Sequence, residues 1–142
     1  MGEIRGYKDL IAWQKAMDLV VLVYRLTASF PREERFGLTA QARKAVISVP
    51  SNIAEGYGRS SKRDYMRFLE IARGSANELE TELLAAKLLK MGTASEFPPV
   101  FDLTNEVQRV VSGLILSLDR SPSKRLTRAS EQVPRQAKQL DA

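Results

Sequence analysis

Four stretches of this chain repeat apolar residues at steps of three and four, and proline or glycine closes each one. That spacing gathers the apolar side chains on one face of an α-helix. Four such helices with short connections bury their faces most simply against each other, as an antiparallel up-down-up-down bundle. No stretch shows strand-like alternation bounded by turns, so an alternating βα fold is excluded and the class is all-α.

The first helix is expected over about residues 9–29. Leu10, Trp13, Met17, Val20 and Tyr24 form one stripe, and Leu19, Val23 and Leu26 form a second beside it. So wide a face needs more than one neighbour to cover it. Phe30-Pro31 ends the helix, because proline disfavours helical backbone in the residue before it. The second helix starts between residues 31 and 38 and carries Leu38, Ala42, Ala45, Val49 and Ile53 on its core face. Pro50 falls inside this pattern and predicts a kink over residues 46–50. Gly56-Tyr57-Gly58 then offers a left-handed cap.

Ser61 predicts the start of the third helix, with Asp64 three residues on as an approximate capping box. Tyr65, Phe68, Ala72, Ala76, Leu79, Leu83 and Ala86 follow at helical spacing. Gly74 lies mid-helix, where glycine costs about 1 kcal/mol relative to alanine. Close approach of another helix is the expected compensation. Gly92 reads as the cap. The fourth helix opens at Pro98-Pro99 and predicts a core seam of Val100, Leu103, Val107, Val110 and Leu114. Residues 1–121 thus form one bundle domain. Residues 122–142 lack a sustained apolar stripe and read as a flexible basic tail, which contributes +3 of the formal +5 charge.

Composition narrows the function. The 142 residues contain no Cys and no His, which removes thiol nucleophiles, imidazole bases, disulfides and most transition-metal sites. No P-loop, dinucleotide fingerprint or nucleophile elbow is present. No catalytic residue, metal ligand or cofactor is therefore assigned. No run of about 18 apolar residues exists to span a membrane, and the N-terminus lacks a signal-peptide core. A cytoplasmic, membrane-free protein that works by binding and not as an enzyme is the expectation.

Arg43, Lys44, Arg59, Lys62, Arg63, Arg67 and Arg73 concentrate positive charge between residues 43 and 73, against Glu55, Asp64 and Glu70. Two readings stand. One is a nucleic-acid-binding surface, with the interleaved Tyr57 and Tyr65 available to stack on bases. The other is an ordinary charged surface with half-buried tyrosines. A phosphate site at the Ser61 helix start, behind two glycines, has a plain interhelix turn as its simpler counterpart. Glu78 and Glu82, four apart, share a helix face and read as solvated or salt-bridged. Asn52, beside the apolar stripe, is either exposed or hydrogen-bonded, and Glu55 is placed to pair with Arg59 one turn later.

Trp13-Gln14-Lys15-Ala16, Phe30-Pro31, Glu34-Arg35-Phe36-Gly37-Leu38-Thr39, Gln41-Ala42-Arg43-Lys44-Ala45, the block Ser-Val-Pro-Ser-Asn-Ile-Ala-Glu-Gly at 48–56, Gly58-Arg59, Phe68-Leu69, Ala72, Gly74-Ser75 and Glu78-Leu79 carry a resemblance. The chain resembles the bacterial four-helix-bundle proteins encoded in intervening sequences of 23S ribosomal RNA genes. Lys44 stands where that family usually has Arg, which keeps the charge and loses the planar fork. The family is in turn similar to accessory proteins of diversity-generating retroelements, which form pentameric barrels and bind nucleic acid and a reverse transcriptase. The resemblance implies a homopentamer, with RNA or DNA and a reverse transcriptase as partners. It also implies packing roles for Trp13, Phe68 and Gly74, a kink at Pro50, and an interhelix or intersubunit polar network of Asn52, Glu55 and Glu78 around Gly56.

Overall fold

A computed structural model describes residues 2–121. Four α-helices make up the fold: α1 (Ile11–Thr27), α2 (Leu38–Tyr57), α3 (Lys62–Leu88) and α4 (Phe97–Arg120). Short 3-10 turns lie at Tyr7–Asp9, Arg32–Glu34 and Ala94–Glu96. The expected basic tail lies outside the described residues.

Each helix packs on its sequence neighbours, most extensively α2 on α3, and α4 closes the ring against α1. Contacts fix the direction of travel. From Lys62 with Ser121, through Arg73 with Ser112, to Gln108 with Asn77 and Glu80, α3 rises in number as α4 falls. Ser48 meets Ser75, and Gly56 meets Tyr65 and Phe68, so α2 and α3 are related in the same way. The start of α3 and the end of α4 therefore share one end of the bundle with the end of α2. The end of α1 and the start of α4 share the other, where Ser29 Oγ accepts from the Thr93 N–H at 3.2 Å.

The helix starts follow from local chemistry. The Glu34 carboxylate accepts from the Leu38 N–H at 3.0 Å and satisfies an orphan donor of α2. Ser61 Oγ accepts from the Asp64 N–H at 3.1 Å, as an N-cap should. At α4, proline occupies the first turn, where its missing N–H costs nothing.

Several sequence expectations shift. Helix α2 spans Leu38–Tyr57 and holds Pro50, buried, at the position inside the helix where the sequence pattern places it. It ends at Gly58 with φ −76°, in right-handed backbone, so no left-handed cap forms there. Positive φ occurs instead at Lys90 and Gly92, past the end of α3. The close approach expected at Gly74 is absent, since a Cβ there would meet nothing within 4 Å. It occurs at Gly56, where a Cβ would lie 2.8 Å from the Phe68 Cβ.

In α1 the second stripe is the core: Leu19, Val23 and Leu26 are fully buried, joined by Ala12 and Ala16. The first stripe divides: Leu10, Trp13 and Val20 are half-buried against the core, while Met17 and Tyr24 face outward, 40% and 39% exposed, because only α2 and α4 pack extensively on α1. The seam of α4 is rotated from expectation. Val100 and Val107 are buried as expected, but the remaining core positions are Thr104, Val111, Ile115 and Leu118, with Leu103, Val110 and Leu114 on the flank. A polar residue misdirected the reading. Buried Thr104 donates its hydroxyl to the Val100 carbonyl at 2.7 Å and so tolerates the core.

Candidate nucleic-acid interface

The basic cluster splits into three places, with Arg73 midway along α3, where it donates to Ser112 of α4 at 3.4 Å. Arg59, Lys62, Arg63 and Arg67 come together around the α2–α3 turn. Gly56 lets the end of α2 settle against Tyr65 and Phe68, which draws the start of α3 alongside. The Gly58 N–H donates to the Ala54 and Glu55 carbonyls, and the Arg59 N–H to Gly56, so the connection is a tight, hydrogen-bonded turn. The Ser61 cap then starts α3 at once.

Three of the four cations are held. Arg59 donates to Glu55 Oε2 at 2.9 Å, and its guanidinium carbon lies 4.8 Å from the centre of the Phe68 ring. The Arg67 guanidinium carbon lies 4.7 Å from the same ring. Phe68, half-buried, is thus both a packing residue and a seat for two charges. Lys62 Nζ donates to the Ser121 carbonyl at 2.9 Å, tying the start of α3 to the end of α4. Arg63 is exposed. Glu55, one turn before Arg59, forms an ion pair with it at 2.9 Å.

The tyrosines pack against each other, with Tyr57 half-buried and Tyr65 buried. Tyr65 is 4% exposed and packs edge-on against Tyr57, with centroids 6.0 Å apart. Of the two readings for these tyrosines, the packed one matches the structure.

Arg43 lies elsewhere. Fourteen residues of helix separate it from Tyr57, a rise of about 21 Å. Its Nε donates to Thr27 Oγ1 at 2.8 Å, a terminal amine donates to the Tyr24 carbonyl at 3.3 Å, and the guanidinium sits 4.4 Å from the Tyr24 ring centre. It therefore caps the end of α1, where carbonyls lack partners and the helix dipole favours a cation. Lys44, next to it, is exposed.

The polar network also divides. Asn52 donates to the Ser48 carbonyl at 2.8 Å and to Ser48 Oγ at 2.9 Å, and Ser48 shares a 2.8 Å hydrogen bond with Ser75 of α3. This hydroxyl bridge joins α2 to α3. Glu55 serves Arg59, and Glu78 faces Glu82. Trp13 packs edge-on against Tyr7, with centroids 5.4 Å apart, at the start of α1.

Glu82 departs from the solvated face expected of it, being only 9% exposed, and its Oε1 has no partner among the described residues. Burial, reinforced by the neighbouring Glu78 charge and by a hydrogen bond to Glu78, pushes its pKa from 4.5 up to about 7. Two carboxyl groups hydrogen-bond only while one of them carries a proton, and burial favours keeping it on Glu82. The spacing of Ser75, Leu79, Glu82 and Ala86 marks the same buried stripe and was the signal available in the sequence. Among the described residues, no three Asp, Glu, His or Cys side chains group to hold a metal, and no helix is long and apolar enough to cross a membrane.

The model of one family, the 23S rRNA-intervening sequence proteins, matches residues 8–113. The chain belongs to this family. The match takes in α1, α2, α3 and most of α4, so the collar, the Ser48–Ser75 bridge and the Glu78–Glu82 pair all lie within family sequence. No curated protein matches the chain.

Proposed function

We propose that this family member is a non-catalytic, homo-oligomeric protein of the cytoplasm that binds nucleic acid, RNA in preference to DNA, through the collar of Arg59, Lys62, Arg63 and Arg67. The observation that carries the reading is the gathering of four cations from nine consecutive residues onto one end of the bundle. Two of them are seated on one ring, which lowers the ordering cost of meeting phosphates. The lack of His and Cys supports a binding role over catalysis. Assembly into a homopentamer multiplies a modest patch into a multivalent one. The outer face of α1, with Met17, Val21 and Tyr24 each 39–48% exposed, supplies an apolar surface for assembly.

That same face favours a second reading, a protein-interaction scaffold or an accessory subunit of a reverse transcriptase. Light scattering with a short structured RNA at low and high salt separates the two. Under the first reading a pentamer-sized particle takes up RNA at low salt and releases it at high salt. Reversing Arg59, Lys62 and Arg63 to Glu weakens the complex about 100-fold, near 1 kcal/mol for each lost phosphate contact. Unchanged affinity in that variant refutes the collar, and a particle that ignores RNA leaves the scaffold reading.

A further inference from the structure

We infer that the collar takes the paired, double-helical form of nucleic acid through its phosphate backbone, and not single strands through their bases. This rests on the collar being a nucleic-acid site and concerns which class of ligand it accepts.

Proteins that bind single strands without sequence preference combine a basic groove with aromatic faces on which successive bases stack. The collar has the charge but withholds the rings. Tyr65 is buried, and Tyr57, half-buried, is turned edge-on to it at an interplanar angle of 87°. Phe68 carries the guanidinium groups of both Arg59 and Arg67 within 5 Å of its centre. A base approaching this end would have to displace a cation to reach the ring, losing the phosphate contact that brought it there. Tyr7, 36% exposed before the start of α1, packs edge-on against Trp13. Phe36, 84% exposed, is at the other end of α2 and has the Arg35 guanidinium over it.

The manner in which the cations are held points the same way. Arg59 is positioned by Glu55 and Phe68, Arg67 by Phe68, and Lys62 by the Ser121 carbonyl. Donors held in place match an array of acceptors that is itself held in place. A double helix presents phosphates in such an array, and a duplex RNA is recognised mainly by its shape and backbone. A flexible strand would have to be ordered to meet the same donors.

The test is a competition on the full-length protein, in low salt, between a labelled RNA duplex and oligouridine of equal phosphate concentration. The duplex is expected to bind at least about fivefold more tightly. Tyr57→Leu and Tyr7→Leu, each checked for helical content by circular dichroism, are expected to leave the affinity for both ligands within about twofold. Loss of a stacking residue costs a single-strand binder about 5- to 150-fold. Equal or tighter binding of oligouridine, or a fivefold loss in either tyrosine variant, overturns the inference while leaving the collar as a nucleic-acid site. Binding of neither ligand overturns the collar reading and this inference together.

Discussion

At one end of the bundle three phenyl rings close the core: Phe97 stacks on Phe30, with centroids 6.3 Å apart, and on Phe101, at 5.9 Å. At the other end a single phenyl, Phe68, lies half-buried beneath two guanidinium groups, and the helices are brought together by the missing Cβ of Gly56. The first end is sealed by bulk. The second is sealed by close backbone approach, which needs little apolar area and leaves its outer positions open to charge. Nearly the same residue types thus do opposite work, and what decides is the residue that stands beside each ring.

Variants at each place sharpen or break that contrast. The largest effect on stability is expected for Phe97→Ala, because this ring is 1% exposed and touches two others. A loss of about 4 kcal/mol in urea unfolding follows from emptying such a site, with the collar's RNA affinity unchanged in the protein that remains folded. Glu82→Gln comes next. Below pH 4.5 the folded and unfolded chains both keep the Glu82 proton and burial has no pH-linked cost. Between pH 4.5 and about 7 the unfolded chain releases it while the folded one keeps it, so stability falls, and above that the loss levels off. The variant should remove this slope and gain up to about 3 kcal/mol at pH 8. Equal pH dependence in urea melts of both proteins would contradict the burial of this carboxyl.

At the collar end, Gly56→Ala drives a Cβ to within 2.8 Å of the Phe68 Cβ, against backbone-linked atoms that cannot swing away. Overpacking of this kind, offset in part by the better helix propensity of alanine, should cost about 2 kcal/mol by thermal unfolding. It should also disturb RNA binding, since it moves the seat of Arg59 and Arg67; a wild-type affinity would separate the turn from the site. The smallest effect is expected from Arg43→Leu, which removes the guanidinium from the end of α1 at a cost of about 1 kcal/mol. Its RNA affinity should stay within twofold of wild type, and a tenfold loss would extend the site well beyond the collar.

Much of the fold was legible in the sequence. The four apolar periods, the Ser61 cap and the prolines of α4 all point to elements that form. The errors share one cause: periodicity reports an apolar face and not what covers it. Met17 and Tyr24 look like core and face outward because α1 has only two extensive neighbours. Thr104 and Glu82 look like surface and are buried, one hydrogen-bonded to its own helix and the other kept neutral by a retained proton. For the candidate site, sequence supplied the cations but not their partition. Arg43 and Arg59 look equivalent in a charge count. Only the packing of α1 against α2 gives Arg43 the unsatisfied end of a helix to cap. The two readings of the tyrosines stay level in the sequence for a related reason, since an interleaved aromatic has no visible orientation until α2 and α3 are in contact.

The most direct measurement is the slope of RNA affinity against salt concentration, on logarithmic axes, for the wild-type protein and for the variant with Arg59, Lys62 and Arg63 changed to Gln. Each phosphate contact contributes about 0.7 to 0.9 to that slope. The collar predicts that the variant's slope is shallower by about two to three for each bound subunit. A slope identical in the two proteins would place the phosphate contacts elsewhere and contradict the account.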